Sequence, residues 1–267
     1  MKRVAFYKMD GAGNDFIMID ARRGDLSLSR EAVERLCHRR FGIGADGLIL
    51  LEEGVGDIAL RMVFYNNDGG QAAMCGNGAR CTALFAHLLG LGSGDNGKEV
   101  AFLADDGPHH AKILMWDKER RVGLVSVGMR DVERGGVRRC LDGWMLDTGV
   151  PHYVQRIEDI DRFDVVGEGR RLRHAPELGP EGANVDFIAD MPDGTLMVRT
   201  YERGVEDETL ACGTGVTAAA IVSGNRRVRS RGGDFRVEFE VEAERFSNVR
   251  LTGPVALNFV GEVNVEC

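Results

Sequence analysis

The sequence predicts a mixed α/β (α+β) protein of two pseudo-symmetric lobes, each a mainly antiparallel sheet or barrel wrapped around one central buried helix. Three observations carry that prediction. Strand-like runs dominate and helical ones are few. Two short apolar helices each follow a Cys-Gly-x-Gly turn, at Cys75–Gly78 and Cys212–Gly215. Matching features also recur at one interval: 136 residues separate Gly13 from Gly149 and Tyr65 from Tyr201, and 137 separate Cys75 from Cys212. One such pair arises easily by chance, whereas several in one register do not. The chain has 267 residues, long for a single core, so two lobes of about 130 residues follow. The expected boundaries are 1–120 for an N-terminal lobe carrying Cys75, completed by a C-terminal strand over 255–267, and 121–254 for a lobe carrying Cys212.

The elements follow in order. A strand over Val4–Lys8 leads through a Gly-rich turn, Gly11–Asn14, into a strand over Phe16–Asp20. Ser29 is placed to cap a helix running to Arg40, with Glu31 in its first turn and Val33, Leu36 and Cys37 at helical spacing. Gly42–Gly47 breaks it. Strands follow over Leu48–Leu51 and Ile58–Tyr65, the second alternating in part. Ala79–Leu89 reads as a helix apolar nearly all round, which must therefore be buried. Strands are expected over Glu99–Leu103, His110–Met115 and Arg121–Val127. The second half repeats the plan, with strands over Trp144–Asp147, Asn184–Ala189 and Leu196–Tyr201. A small apolar helix over Val216–Val222 comes next, then strands over Phe235–Val241 and Val249–Thr252. A last strand over Ala256–Val265 is free to return to the first lobe.

Composition excludes several classes. The net charge is −8, against the basic footprint of a nucleic-acid binder. Arg170–Arg173 and Arg226–Arg231 are short and read as solvated loops or strand edges. No apolar run approaches the length of roughly 18 residues that spans a membrane, and the N-terminus lacks a secretory core, so a cytoplasmic protein is expected. The six cysteines show no C-x-x-C spacing, so no metal site is expected. In a reducing compartment they are thiols. Cys37 and Cys81 sit on apolar helical faces and read as core, and Cys140 and Cys267 receive no role.

Cys75 and Cys212 are different. A cysteine at a helix N-terminus has its thiolate stabilised by unsatisfied backbone N–H groups and the helix dipole, and its pKa is expected to fall from about 8.5 toward neutrality. The same N–H groups hold a carboxylate, and the glycines let a ligand approach the backbone. If pseudo-symmetry brings the two turns face to face, a small amino acid fits in the cleft between the lobes with its α-carbon between two sulfurs. One thiolate then removes the α-proton and the other thiol returns one on the opposite face. A buried structural cysteine is the simpler reading of either turn alone; two in one register favour chemistry.

The segments GAGNDF (Gly11–Phe16), GIGADG (Gly42–Gly47), NNDGGQAAMCGNGARC (Asn66–Cys81), DTGVPHYV (Asp147–Val154), ANVDF (Ala183–Phe187) and YERGVEDETLACGTG (Tyr201–Gly215) closely resemble diaminopimelate epimerase, in that family's order and over most of the chain. The resemblance implies interconversion of LL- and meso-diaminopimelate for lysine and peptidoglycan synthesis, with neither pyridoxal phosphate nor a metal as cofactor. It implies a bilobal fold, usually a homodimer, whose partner is a small amino acid with a second charged end. It makes Cys75 and Cys212 the acid/base pair, with His152 and Glu202 as polar groups beside them. Gly76, Asn77, Gly213 and Thr214 would supply backbone groups to the reacting end. Asn14, Asn66, Asn184, Glu202 and Arg203 would hold the substrate, Arg203 on its distal carboxylate. Asp46 and Asp68 read as turn formers. Two departures stand out: Val150 where the family often has Asn, and Gly47 where some members have Gln. Two alternatives stay open. One is a sister racemase or epimerase for proline, hydroxyproline or histidine. The other is a binding protein or thiol switch without enzymatic activity.

Overall fold

The computed structural model describes residues 2–24 and 26–265; Cys267 and the end of the expected 255–267 range lie outside them. The chain is mixed α/β and mostly strand, with four α-helices among the described residues: α1 (Arg30–Cys37), α2 (Gly76–Leu88), α3 (Val165–Arg173) and α4 (Gly213–Ser223). It divides into two compact units. The first runs up to Val127 and regains the chain from Pro254; the second is Gly128–Gly253.

In the first unit an antiparallel hairpin, Lys2–Gly11 with Asn14–Asp20, turns through Ala12 and Gly13, both at positive φ. After α1 the strand Gly47–Val55 lies parallel to Asn14–Asp20, with Phe16 opposite Gly47. Ile58–Asn66 returns antiparallel to it. After α2, Glu99–Ala104 runs parallel to Ile58–Asn66, and Gly107–Asp117 and Val122–Gly128 complete a meander. The long strand Arg245–Val265 enters this unit at Pro254 and pairs antiparallel with Lys2–Gly11, Asp10 opposite Ala256. In the second unit the strands Gly143–Asp147 and Pro151–Arg156 form the hairpin. After α3, Asn184–Asp190 lies parallel to Pro151–Arg156, with His152 opposite Asn184. Leu196–Glu202 returns antiparallel. After α4, Arg227–Ser230 runs parallel to Leu196–Glu202, followed by Gly233–Val241 and the first part of Arg245–Val265. Hairpin, helix, parallel strand, return strand, buried helix and meander thus recur in both units.

Local rules explain most elements. Ser29 accepts from the Ala32 N–H at 3.2 Å as the α1 cap, a bond that contributes about 1 kcal/mol. The helix ends at Cys37, short of the expected Arg40, because the N–H groups of Ile43 and Gly44 turn back to the Leu36 carbonyl. The His38 ring meanwhile accepts from the Arg40 and Phe41 N–H groups. Asp15 ties the hairpin to this loop, pairing with Lys8 and Arg39 and accepting from the Asp46 N–H. Burial opposes its ionisation, yet Arg39 and Lys8 hold its carboxyl well below the usual carboxylate range. As expected, α2 and α4 are buried nearly all round.

Several elements were not expected, among them the short strands Arg138–Cys140, Asp207–Thr209 and Arg227–Ser230. The strand Pro151–Arg156 opens on a proline, a residue tolerated at a first strand position but a weak strand signal in sequence. Helix α3 carries two glycines and three arginines, so Arg170–Arg173 lie on a helix and not in a loop or strand edge. Its glycines answer to packing. A Cβ on Gly169 would stand 2.4 Å from the Tyr201 Cβ. The apolar side of α3, Val165 and Leu172, packs into a core with Tyr153, Val185, Phe187 and Tyr201. The strands expected over Val249–Thr252 and Ala256–Val265 are one continuous strand.

Candidate active site

Both helices of interest begin three residues earlier than apolar patterning predicts, directly after the cysteines. Cys75 is the N-cap of α2 (φ −134°, ψ 123°) and Cys212 that of α4 (φ −110°, ψ 112°), each in extended conformation with no side-chain cap bond. The cap carbonyls accept the first helical bonds, from Ala79 N at 2.7 Å and Val216 N at 2.9 Å. The glycines therefore lie inside the first helical turns, where helix N–H groups have no intrahelical partners.

In the first unit Cys75 is half-buried. The Asn14 amide stands 4.0 Å from its sulfur, a weak contact. The Gly11–Asn14 turn lies against the start of α2, since a Cβ on Gly11 would come within 2.7 Å of the Asn77 carbonyl oxygen. The buried Arg80 guanidinium donates to Asn77 Oδ1 at 2.8 Å and to the Gly76 carbonyl at 3.2 Å, fixing this first turn. Asn66 is exposed at its strand end, where its backbone closes the turn to Gly70.

In the second unit Cys212 is buried, with its sulfur 3.2 Å from Thr214 Oγ1. Thr214 Oγ1 is 2.9 Å from His152 Nε2. The His152 ring is wholly buried, and its Nδ1 lies 2.6 Å from Asp186 Oδ2. Asp186 Oδ1 also accepts from the Thr200 hydroxyl at 2.7 Å. Asn184 Nδ2 stands 3.3 Å from His152 Nε2, while Asn184 Oδ1 accepts from the Arg203 N–H at 2.7 Å. Strand register builds this group. Asn184 and Asp186 alternate onto one face, His152 lies opposite Asn184 in the parallel pairing, and Thr200 lies opposite Asp186 in the antiparallel one. A Cβ on Gly215 would stand 2.4 Å from Asp186 Oδ1, so the second glycine of this turn is required by the carboxylate packed against it.

The electrostatics at Cys212 run against the expected near-neutral thiol. Burial raises its pKa well above the ordinary value, and the carboxylates of Glu202 and Asp186 add to that. The Thr214 hydroxyl and the Gly215 N–H oppose the shift without overcoming it. Burial likewise raises Glu202, with Thr209 and His152 opposing. Burial pushes the Cys37 thiol up to about 12 and Cys81 further, in keeping with their reading as core.

The family model for diaminopimelate epimerase matches residues 6–126 and 144–257. A diaminopimelate epimerase of Flavobacterium psychrophilum is 42% identical over 263 residues, 95% of this chain and 97% of that protein. The chain belongs to the diaminopimelate epimerase family. It is accordingly an isomerase of the epimerase type. A diaminopimelate epimerase of Chlorobaculum tepidum is 45% identical over 215 residues, 80% of this chain and 81% of that protein. Among solved structures, a probable proline racemase from Agrobacterium radiobacter with bound carbonate shares the fold. Its TM-score is 0.70 at 15% identity, covering 98% of this chain and 93% of that one.

Within this family member the second unit gathers Cys212, Thr214, His152, Asn184 and the Arg203 backbone into one bonded group, with Glu202 acting on Cys212 by charge. The first unit gathers Asn14, Cys75, Gly76 and Asn77. The Arg203 guanidinium pairs with Glu181 at 3.3 Å, an ion pair whose Glu181 side chain is 85% exposed. Asp186 and Thr200 escaped the sequence reading. The available signal was a charged residue inside the apolar alternation of Asn184–Asp190, a pattern that calls for a buried partner.

Proposed function

We propose that this chain interconverts LL- and meso-2,6-diaminopimelate, a step toward lysine and peptidoglycan precursors, by removing the α-proton at one of Cys75 and Cys212 and returning a proton from the other. The observation that carries the proposal is a thiol as N-cap of each of two buried helices in a chain of this family. The α-carbon–hydrogen bond breaks toward one thiolate, and its electron pair moves into the carboxylate as an enolate. The second thiol then delivers its proton to the opposite face. The N–H groups of Gly76, Asn77, Gly213 and Thr214 are the donors for the carboxylate, where a single well-placed donor contributes roughly 3 kcal/mol to such a step.

Arg203 suits the distal carboxylate. Its present partner, Glu181, forms an exposed pair, and such pairs contribute at most about 1 kcal/mol. A substrate carboxylate held through both guanidinium nitrogens displaces it readily. Asn14, Asn66 and Asn184 supply further donors, with His152 and Glu202 beside the thiols. A cytoplasmic homodimer belongs to the same proposal.

The test is deuterium uptake at the α-carbon of LL-diaminopimelate in heavy water. Reduced wild type is expected to exchange and epimerise, while Cys75→Ser and Cys212→Ser each lose at least about 100-fold in turnover. Absence of exchange by reduced wild type ends the proposal. Exchange with proline, hydroxyproline or histidine instead selects the sister activity, and full activity in both variants removes the two-thiol mechanism.

A further inference from the structure

The geometry points to Asp186 as a positioning residue: it locks His152 in the Nδ1–H tautomer, so that His152 Nε2 receives the Cys212 proton through the Thr214 hydroxyl. Its purpose rests on the two-thiol proposal above, but its geometry does not.

The tautomer follows from donors and acceptors alone. The Arg203 backbone N–H can only donate, so the atom of Asn184 it reaches at 2.7 Å must be the amide oxygen. The amide nitrogen of Asn184 therefore faces His152 Nε2, at 3.3 Å. An amide nitrogen can only donate, so Nε2 must be the unprotonated ring nitrogen. The ring proton then lies on Nδ1 and is donated to Asp186 Oδ2 at 2.6 Å. Asp186 is wholly buried and its other oxygen is occupied by the Thr200 hydroxyl, so the acceptor cannot swing away.

The rest of the chain takes its direction from that. The Thr214 hydroxyl has one proton, and the nearer acceptor available to it is Nε2, at 2.9 Å. Thr214 Oγ1 then accepts from the Cys212 S–H at 3.2 Å. Burial, and after it the charges of Glu202 and Asp186, disfavour the Cys212 thiolate, so the relay starts from the thiol. When Cys212 acts as base, its S–H bond breaks and the proton joins Thr214 Oγ1. The proton that Oγ1 carried forms a bond to His152 Nε2. The products are a thiolate and an imidazolium, the latter paired with the Asp186 carboxylate. Taking the α-proton makes Cys212 a thiol again, and the imidazolium then balances the thiolate left at Cys75; in the opposite direction Cys212 gives its proton to the substrate and the imidazolium returns one to the sulfur through Thr214.

Two measurements on ligand-free, reduced protein test this. Nitrogen NMR of 15N-histidine-labelled wild type is expected to show His152 with a protonated Nδ1 and a bare Nε2 at neutral pH, and Asp186→Asn to populate the opposite tautomer. The second measurement is the rate of Cys212 alkylation by iodoacetamide across pH in a Cys75→Ser background, read by peptide mass. Removing a carboxylate beside a thiol speeds alkylation on charge grounds alone. Loss of the relay slows it, so Asp186→Asn is expected to be slower by roughly tenfold near neutrality. Thr214→Val, which leaves Asp186 in place should Asp186→Asn not fold, is expected to slow alkylation similarly, with Thr214→Ser restoring it. A protonated Nε2 in wild type, faster or unchanged alkylation in Asp186→Asn, or a Thr214→Val rate equal to wild type overturns the relay. If these results come out as expected but LL-diaminopimelate does not exchange, the relay stands and the substrate proposal falls.

Discussion

Cys212 caps a helix, which favours its thiolate, and is buried beside Glu202 and Asp186, which disfavour it. The second influence prevails because burial removes the water that would solvate the sulfur anion, while a helix terminus offers only partial charges. Glu202→Gln removes one of the two negative charges, so the thiolate is expected to form at lower pH. The check is the pH midpoint of Cys212 alkylation in the Cys75→Ser background, which should move down; an unmoved midpoint would show that Glu202 does not act on this thiol. Motif spacing and family resemblance singled out the two cysteines, His152 and Asn184, and Thr214 for its backbone alone. Asp186 was not, because its role is set by Thr200 and His152, which lie on neighbouring strands and come beside it only through register.

At the scale of elements, the Cys-Gly-x-Gly turns look alike in sequence and are held differently. A Cβ on Gly78 would meet Ile49 Cδ1 at 2.9 Å and Met62 Cε at 3.1 Å, both ends of flexible side chains. On Gly215 it would meet Asp186 Oδ1 at 2.4 Å, an oxygen that accepts from the Thr200 hydroxyl on a carboxylate whose other oxygen is held by His152. Overpacking costs typically about 1–3 kcal/mol. Gly215→Ala is therefore expected near the top of that range and Gly78→Ala near the bottom, as read from urea midpoints; equal losses would contradict the distinction. Patterning predicted the buried helices but started each three residues late, because glycine in a first turn reads as loop. Helix α3 was missed for the same reason, although Gly169 is the residue that lets it approach Tyr201.

At the scale of the whole molecule, three buried thiols couple stability to alkaline pH. Cys37, at about 12, and Cys81 and Cys212 all have folded-state pKa values raised by burial. The folded protein keeps protons that the unfolded chain gives up, so this contribution is complete below the ordinary thiol value of about 8.5 and is lost as pH rises through the folded values. The thermal midpoint of reduced protein is expected to fall between about pH 8 and pH 10. Cys37→Ala should weaken that decline while lowering the midpoint at neutrality through the cavity it leaves. An unchanged slope would exclude Cys37 as a contributor.

The sequence by itself determined the mixed α/β class, the two thiol-led helices and the family. These are local or linear signals: apolar period, glycine punctuation, and motifs in a set order. Only the tertiary structure decided that a proline opens a central hairpin strand, that α3 exists, and that Cys212 is disfavoured as a thiolate. It alone decided that Asp186 lies against His152. Each of those depends on what a residue is buried against, and burial partners here come from strand register and helix packing between segments far apart in the chain.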